Sequence, residues 1–196
     1  MELTPATYHW FVRPTWLIRR YNEKTLKSLL QDFNFSEKKI LDFGCGIGSN
    51  SYIWESDNYK GIDINLNRIN YAKKLNKNYH YYTLEGNSLP FNNKAFDFIF
   101  LMAVLHHIPP EQIRIYLQEF RRVLRPKGRM IIIEPCFINN KPISNWLMNL
   151  FDRGKYIGSD KYYLELFKKE EFKIQGVKKF KKGYFYNELF FTADPN

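Results

Sequence analysis

The sequence predicts an α/β protein with a mostly parallel sheet of about seven strands, covered by helices on both faces. Short apolar segments alternate with amphipathic segments along the chain, which is the pattern of right-handed βαβ units. The segment from Ala95 to Met102 is almost continuously apolar, as expected of a strand that is buried on both faces. Two further strand-like segments flank Lys181-Lys182-Gly183 and predict a C-terminal antiparallel hairpin.

The first part of the chain is predicted to contain a helix, followed by three strands. Apolar residues recur at helical spacing between residues 14 and 33, which predicts the opening helix. The elements that follow are a strand ending at Phe43, a helix over 49–54, a strand over 59–64, a helix over 66–75 and a strand over 79–84.

The second part of the chain continues the alternation of predicted strands and helices. Pro109 and Pro110 indicate a helix start, because proline is tolerated in the first turn of a helix. Arg125-Pro126-Lys127-Gly128 is predicted to be a turn that stops this helix before the next strand. The predicted elements are a strand over 95–102, a helix over 110–124, a strand over 130–133, helices over 143–151 and 162–169, and hairpin strands over 172–180 and 184–192.

Length and composition limit the class of protein. The 196 residues are enough for one sizeable core, so a single domain over residues 1–196 is predicted. The sequence shows neither a membrane-spanning segment nor the pattern of a secretory signal. Cys45 and Cys136 are the two cysteines, too few for a disulfide framework, and a cytoplasmic location is therefore expected.

The net charge of +10 allows two interpretations. Such a charge is typical of some proteins that bind nucleic acids or membrane surfaces, and the densest basic cluster comprises residues 178–179 and 181–182, close to Lys168 and Lys169. Alternatively, these lysines lie on solvated strand ends and a turn, with no ligand. Because the lysines are scattered and Glu170 and Glu171 interrupt them, the second interpretation is favoured over a nucleic-acid partner.

The most informative segment is the loop after the first strand, Asp42-Phe43-Gly44-Cys45-Gly46-Ile47-Gly48. Glycine at every second position allows a sharp turn and allows a ligand to lie against bare main chain. A dinucleotide-binding loop has the spacing G-x-G-x-x-G, whereas here the third glycine comes one residue earlier, at Gly48. The pattern G-x-G-x-G preceded by Asp42 resembles the first motif of class I S-adenosylmethionine (SAM) dependent methyltransferases, in particular the small bacterial type-11 methyltransferases.

This resemblance implies a Rossmann-like sheet and SAM as the cofactor, with S-adenosylhomocysteine as the product. Asp63 ends the second strand about 20 residues beyond the loop, where an acidic side chain reaches the ribose hydroxyls. The alternative role for Asp63 is the N-cap of the following helix.

The segment from Gly86 to Phe91 is similar to the third landmark of the family, in which an acid accepts a hydrogen bond from the adenine amino group. Asn87 replaces that acid here, and its carbonyl can still accept, although the segment also fits a plain turn. The cofactor-binding residues implied by the resemblance are Asp42, Gly44, Cys45, Gly46, Gly48, Asp63, Ile64, Asn87, Ser88, Met102 and Ala103.

The segment from Leu101 to Ile108 resembles the fourth motif of the family and contains two adjacent histidines. Residues just past the strand are expected to flank the sulfonium, so that His106 or His107 borders the acceptor. Histidine is suited to take a proton near neutral pH, and His107 is favoured over His106 as the catalytic base. The alternative is that one histidine caps local backbone while the other packs under the loop. No metal site is predicted.

The acceptor site is expected from parts of the chain outside the SAM-binding core of about 36–135. These parts are an N-terminal arm or lid of about 1–35 and the helices and hairpin of about 136–196. Alternatively, the arm pins the first helix to the sheet, Glu134 is only a helix-side charge, and residues 152–157 form a salt-bridged loop. The candidate substrate-binding residues are Tyr8, His9, Trp10, Glu134, Arg153 and Tyr156.

Three functions follow from these motifs. The first is SAM-dependent methyl transfer to an O, N or S atom of a small-molecule acceptor by in-line displacement. The second is an RNA-directed methyltransferase that uses the basic hairpin to contact phosphates. The third is a non-catalytic SAM-binding protein. The sequence names neither the acceptor nor the oligomeric state.

Overall fold

A computed structural model describes residues 15–139, 141–151, 154–182 and 186–196. Its seven strands form a mixed, mostly parallel sheet accompanied by helices, which confirms the predicted α/β fold class. The chain divides into two compact units, Met1–Glu85 and Gly86–Asn196, and each is described by itself. Among the described residues, no helix is long and apolar enough to cross a membrane.

The first unit contains three parallel strands in the order β3-β2-β1. All four residues of β1 are buried, which explains the apolar sequence of this strand. The helix after β2 begins where predicted, because the Asn65 side chain accepts a hydrogen bond from the Arg68 N–H and caps the helix. The elements are α1 (Thr15–Leu30), β1 (Ile40–Phe43), β2 (Tyr59–Asp63), α2 (Leu66–Leu75) and β3 (His80–Thr83).

The helix predicted over residues 49–54 is wrong. The structure has a single 3-10 turn at Ser51–Ile53 and another at Ser56–Asn58. The Ser51 hydroxyl donates a hydrogen bond of 2.9 Å to the Gly48 carbonyl. A local side-chain bond of this kind competes with regular helix formation, and the chain reaches β2 through these two short turns.

The second unit contains four strands in the order β4-β5-β7-β6. The pair β4–β5 is parallel, whereas β5–β7 and β6–β7 are antiparallel, which confirms the C-terminal hairpin. The elements are β4 (Phe96–Met102), a 3-10 turn (Leu105–His107), α3 (Pro110–Val123), β5 (Leu124–Pro135), α4 (Pro142–Phe151), α5 (Asp160–Lys169), β6 (Phe172–Lys182) and β7 (Tyr186–Pro195).

The turn predicted over residues 125–128 is an irregular first part of β5. Phe96 pairs with Leu124, whereas Phe98 already pairs with Arg129, so the register shifts as in a β-bulge. Lys127 adopts a φ of 66° within this bulge. Arg125 donates a hydrogen bond of 2.7 Å to the Asp97 carboxylate on β4, which holds the bulged segment to its neighbour.

The core of the second unit aligns the carboxyl ends of β4 and β5. Residues 130–133 of β5 are at most 1% exposed, and they lie beside an equally buried segment of β4. Helix α3 covers them with an apolar stripe at helical spacing. Because β4 and β5 are parallel, the loop after Met102 and the end of β5 at Glu134 lie at the same edge.

Candidate active site

The glycine loop of the first unit has a backbone that most residues cannot adopt. Gly44, Gly46 and Gly48 have φ values of 73°, 57° and 73°, in the left-handed region that favours glycine. Among the described residues, a Cβ atom on Gly46 would meet no heavy atom within 4 Å, so space is left on that side of the glycine. A Cβ atom on Gly48 would instead overlap the Tyr81 ring, so this glycine is required for packing.

Asp63 connects the end of β2 to the glycine loop. Its Oδ2 accepts a hydrogen bond of 2.9 Å from the Gly46 N–H, and its Oδ1 accepts one of 2.8 Å from the Asn65 N–H. Asn65 is the N-cap of α2. The alternative role of Asp63 as this N-cap is therefore wrong. A carboxylate has about four lone-pair positions, and these two bonds occupy two of them. The neighbouring Ile64 side chain is 73% exposed.

Asp42 lies beneath the glycine loop, with its side chain directed into the core. It is 2% exposed, and its Oδ2 accepts a hydrogen bond of 2.7 Å from the Tyr59 hydroxyl. Burial raises the pKa of Asp42 to about 7, although the Tyr59 hydrogen bond acts in the opposite direction. This acid therefore supports the strand ends from inside, whereas Asp63 contacts the loop itself.

In the second unit, α3 holds the loop that contains Asn87 and Ser88. The Asn87 Oδ1 accepts a hydrogen bond of 2.9 Å from the Gln112 side chain. The Ser88 hydroxyl and the Leu89 N–H both donate to Glu119, at 3.2 and 2.7 Å. The predicted adenine acceptor on Asn87 thus already has one partner from α3.

An ion pair between Glu119 and Arg122 on α3 completes this attachment. Sequence reasoning did not predict this pair. Arg122 donates to Glu119 and to the backbone carbonyls of Leu89 and Phe91, at 2.7 to 2.9 Å. The hydrogen bonds from Arg122 lower the pKa of Glu119 to about 2. The i,i+3 spacing of Glu119 and Arg122 on a predicted helix is the sequence signal that could have indicated this pair.

The backbone turns sharply where β4 ends. Ala103 has a φ of 57°, which is uncommon for a residue other than glycine. Its N–H donates a hydrogen bond of 2.8 Å to the Ile133 carbonyl of β5, which holds it in this conformation. Such backbone strain is typical of functional sites. Met102, the last residue of β4, is half-buried beside it.

Glu134 anchors the segment that follows this turn. It is fully buried, and its Oε1 accepts hydrogen bonds from the N–H groups of Val104 and Leu105, at 2.7 and 2.8 Å. Its Oε2 lies 2.8 Å from the Nδ1 atom of His106. In the neutral imidazole, an Nδ1–H that donates to this carboxylate leaves Nε2 as an acceptor. The structure thus gives Glu134 a positioning role, and its oxygens face the loop and His106.

The two histidines lie in different surroundings. His106 is 2% exposed, whereas His107 is exposed, and their ring centroids are 4.0 Å apart. The Tyr156 N–H donates a hydrogen bond of 2.9 Å to the His106 carbonyl. Tyr156 itself is 37% exposed. His106 is therefore the histidine that packs under the loop, with a carboxylate partner.

The remaining candidates lie outside the described residues. These are Tyr8, His9 and Trp10 of the N-terminal arm, and Arg153. The described part of the chain contains no group of three or more His, Cys, Asp or Glu residues that could hold a metal ion.

The basic hairpin has a structural explanation. Strand β6 is the last strand in the order of the second unit, and lysines on such an edge discourage pairing with other chains. Lys179 forms an ion pair with Asp160, and the Lys178 ammonium lies 6.0 Å from the centre of the Phe190 ring. These contacts favour the interpretation of the lysines as a solvated strand edge.

The first unit has a glycine loop after β1 and an acid at the end of β2, and the second unit ends in an antiparallel strand. Residues 41–132 match the family model described as a methyltransferase domain. This match confirms the predicted resemblance to the SAM-dependent methyltransferases.

Individual relatives agree with this assignment. The chain is 35% identical over 109 residues to the mitochondrial ubiquinone biosynthesis O-methyltransferase of Schizosaccharomyces pombe, a match covering 50% of this chain and 38% of that protein. The PH0226 protein of Pyrococcus horikoshii shares the fold with a TM-score of 0.74, at 21% identity, covering 91% of each chain.

A third relative has a bound product in its structure. It is the magnesium protoporphyrin IX methyltransferase of Synechocystis with S-adenosylhomocysteine, with a TM-score of 0.69 at 18% identity, covering 93% of this chain and 87% of that one. At such identities, the two solved structures show the fold alone. The chain spans about a third to a half of the length of the curated relatives it matches.

Proposed function

We propose that this protein is an enzyme that transfers the methyl group of SAM to an O, N or S atom of a small-molecule acceptor. The observation on which the proposal rests is the bond between the Asp63 carboxylate and the Gly46 N–H, together with the space that the described residues leave beside the Gly46 Cα atom. An acid held against a bare glycine loop suits a ligand that presents hydroxyl groups and needs close approach to the main chain.

In the first unit, we assign Asp63 to the ribose of SAM. Its two oxygens each have one protein partner and retain lone pairs for hydroxyl donors. Gly44 and Gly46 supply the main chain against which the cofactor lies, and the exposed Ile64 supplies an apolar surface for its base. Asp42, Cys45 and Gly48 support this loop from below.

In the second unit, we assign Asn87 and Ser88 to the adenine, and Met102 and Ala103 to the surroundings of the sulfonium. The bond from Gln112 fixes the orientation of the Asn87 amide, and its carbonyl can accept a second donor. The strained backbone at Ala103 supports a role close to the reacting atoms.

Methyl transfer from a sulfonium releases a neutral thioether, which needs no acid. The enzyme must hold the donor methyl and the acceptor in line, and well-oriented systems gain up to about 7–11 kcal/mol in this way. An acceptor hydroxyl also needs a base, and we assign that role to the histidine pair. His106 has the carboxylate partner that keeps Nε2 as an acceptor, and the exposed His107 lies against it. We assign acceptor contacts to Tyr156 and to the arm residues Tyr8, His9 and Trp10, with Arg153 beyond α4.

The name of one relative narrows the choice of acceptor atom. The Schizosaccharomyces pombe relative in ubiquinone biosynthesis is an O-methyltransferase by name. We therefore propose oxygen as the favoured acceptor atom. We further propose that the chain acts as one domain in the cytoplasm, which is consistent with its two free thiols at Cys45 and Cys136.

Calorimetric titration with S-adenosylhomocysteine tests the cofactor assignment. Asp63→Ala should weaken binding by about 1–3 kcal/mol, because a buried hydroxyl of the ligand loses its partner. Asp57→Ala, which removes an exposed acid of the same unit, is the control and should bind like the wild type. Thermal unfolding of each variant separates a loss of binding from a loss of fold.

Turnover is tested by transfer of labelled methyl from SAM to a panel of phenols, amines and thiols. Transfer to one class identifies the acceptor atom. Binding without transfer to any class would favour a non-catalytic SAM-binding protein. If the wild-type protein shows neither a thermal shift nor a heat of mixing with S-adenosylhomocysteine, the proposal is wrong.

A further inference from the structure

Helix α4 has an unusual composition for a helix at the surface. Its sequence, from Pro142 to Phe151, contains no acidic or basic residue. A surface helix of a globular protein normally places charged residues on the side that faces water. The two sides of α4 have different surroundings.

The inner side of α4 is fixed by β7. Ser144 and Met148 are buried, and the Asn187 side chain donates a hydrogen bond of 2.9 Å to the Ser144 hydroxyl. The Asn187 N–H lies 3.4 Å from the Met148 sulfur. In addition, Asn145 exchanges hydrogen bonds of 3.2 and 3.0 Å with the backbone of Ile138. These contacts determine which side of the helix faces outward.

The outer side presents large apolar groups to water. Ile143 is 70% exposed and Trp146 is 63% exposed. Their spacing of three residues places both on the same face of the helix. Pro142 and Asn149 are exposed on the same side, and neither carries a charge. An isolated exposed leucine or isoleucine is ordinary, but an exposed tryptophan beside an exposed isoleucine on an uncharged helix face needs a partner.

The charges that flank the helix are basic. Lys141 is exposed directly before the helix begins, and Lys155 is exposed shortly after it ends. The whole chain carries a net charge of +10. Tryptophan is enriched at the membrane–water interface, where its ring is partly buried and its N–H remains hydrated. An apolar helix face together with basic residues is the combination that binds anionic bilayers.

We propose that the outer face of α4 docks on the headgroup region of an anionic lipid bilayer, with Ile143 and Trp146 inserted and Lys141 near lipid phosphates. Two inserted side chains on a helix of about 15 Å give a weak and reversible attachment. This inference goes beyond the proposed function and does not depend on methyl transfer.

Co-sedimentation of the full chain with vesicles tests the proposal. Vesicles of phosphatidylcholine with phosphatidylglycerol are compared with vesicles of phosphatidylcholine alone. The wild-type protein should partition at least tenfold more strongly into the anionic vesicles. The double variant Ile143→Ser/Trp146→Ser should lose at least tenfold of that binding, and Lys141→Gln about fivefold.

The matched control is Ile115→Ser/Val177→Ser, which removes two exposed apolar residues outside α4. It should bind the anionic vesicles like the wild type. Equal binding by the two double variants would show that charge alone attracts the protein, which overturns the proposal. Absence of wild-type binding overturns it as well.

Light scattering distinguishes a second copy of the chain as the occupant of this face. A dimer that disappears in Ile143→Ser/Trp146→Ser, without vesicle binding by the wild type, would overturn the proposal in favour of self-association. Calorimetry with S-adenosylhomocysteine is run on the same samples and should be unchanged in every variant. A wild-type protein that binds vesicles but not S-adenosylhomocysteine would refute the proposed function and leave this inference intact.

Discussion

Glu134 shows how one buried side chain can organise a loop, here the one that follows β4. Two backbone N–H groups and one imidazole converge on its two oxygens. Burial of a carboxylate is costly unless its hydrogen bonds are complete, and three donors compensate for that cost here. The result is a loop after β4 whose backbone and histidine tautomer depend on one residue of β5.

Glu134→Gln should reduce kcat while leaving the affinity for S-adenosylhomocysteine unchanged. The glutamine oxygen can still accept from Val104 and Leu105, but its NH₂ group faces the His106 Nδ1 atom. That atom must then accept, so the proton moves to Nε2 and the base is blocked. Loss of a general base costs about 10²–10⁴-fold in rate, and the pH dependence of kcat should lose its histidine limb.

The control for this variant is Glu188→Gln, which alters another buried glutamate of the same unit. It should retain the wild-type pH profile. An unchanged rate and profile in Glu134→Gln would contradict a role for His106 as the base. That result would transfer the role to His107.

At the level of elements, α3 both covers the sheet and holds a loop. Its inner face carries the apolar stripe, while Glu119 and Arg122 face the segment before β4. The guanidinium contacts one carboxylate and two carbonyls at once, which requires its planar set of donors. The helix thereby connects the position of Asn87 and Ser88 to the core.

Arg122→Lys should loosen the segment 86–94. A lysine ammonium cannot serve the three acceptors in this geometry, and the loss is expected to be about 1–3 kcal/mol. Hydrogen exchange of that segment should become faster, and the affinity for S-adenosylhomocysteine should fall. Arg114→Lys on the same helix is the control, because Arg114 is 57% exposed and forms a long ion pair of 3.5 Å. Equal exchange rates in both variants would show that the Arg122 contacts do not hold the loop.

For the molecule as a whole, the buried acid beneath the glycine loop makes stability depend on pH. The pKa of Asp42 is about 7 in the folded protein, against an ordinary value of 3.8. The folded state therefore binds a proton that the unfolded state has released between these two values. The contribution of this proton to the free energy of unfolding is fully present below about pH 4 and is lost as the pH rises through about 7.

Urea unfolding at pH 5 and pH 8 tests this dependence. The wild-type protein should be less stable at pH 8 than at pH 5, by at most about 3 kcal/mol, because the folded and unfolded states differ in bound protons over about two pH units of this interval. Asp42→Asn should abolish this part of the pH dependence, since the amide has no proton to lose and can still accept from Tyr59. If Asp42→Asn loses as much stability between pH 5 and pH 8 as the wild type does, another group is responsible for the pH dependence.

Some features of this protein were determined by the sequence alone, because their causes lie within a few residues. The bounds of α2 follow from the Asn65 cap and the apolar spacing of Ile69 and Ala72. The glycine loop was recognisable because only glycine readily adopts the left-handed backbone found at residues 44, 46 and 48. The family match over residues 41–132 confirmed what this local pattern predicted.

Other features were decided only by the tertiary structure, because their causes are far apart in the chain. Glu134 meets Val104 and His106 across 28 to 30 positions, and Glu119 meets Leu89 across 30. Likewise, the predicted turn at residues 125–128 became a bulge because the neighbouring β4 offered backbone partners on either side of it. Local propensity cannot encode such contacts, since they exist only once a parallel sheet has brought the strand ends together.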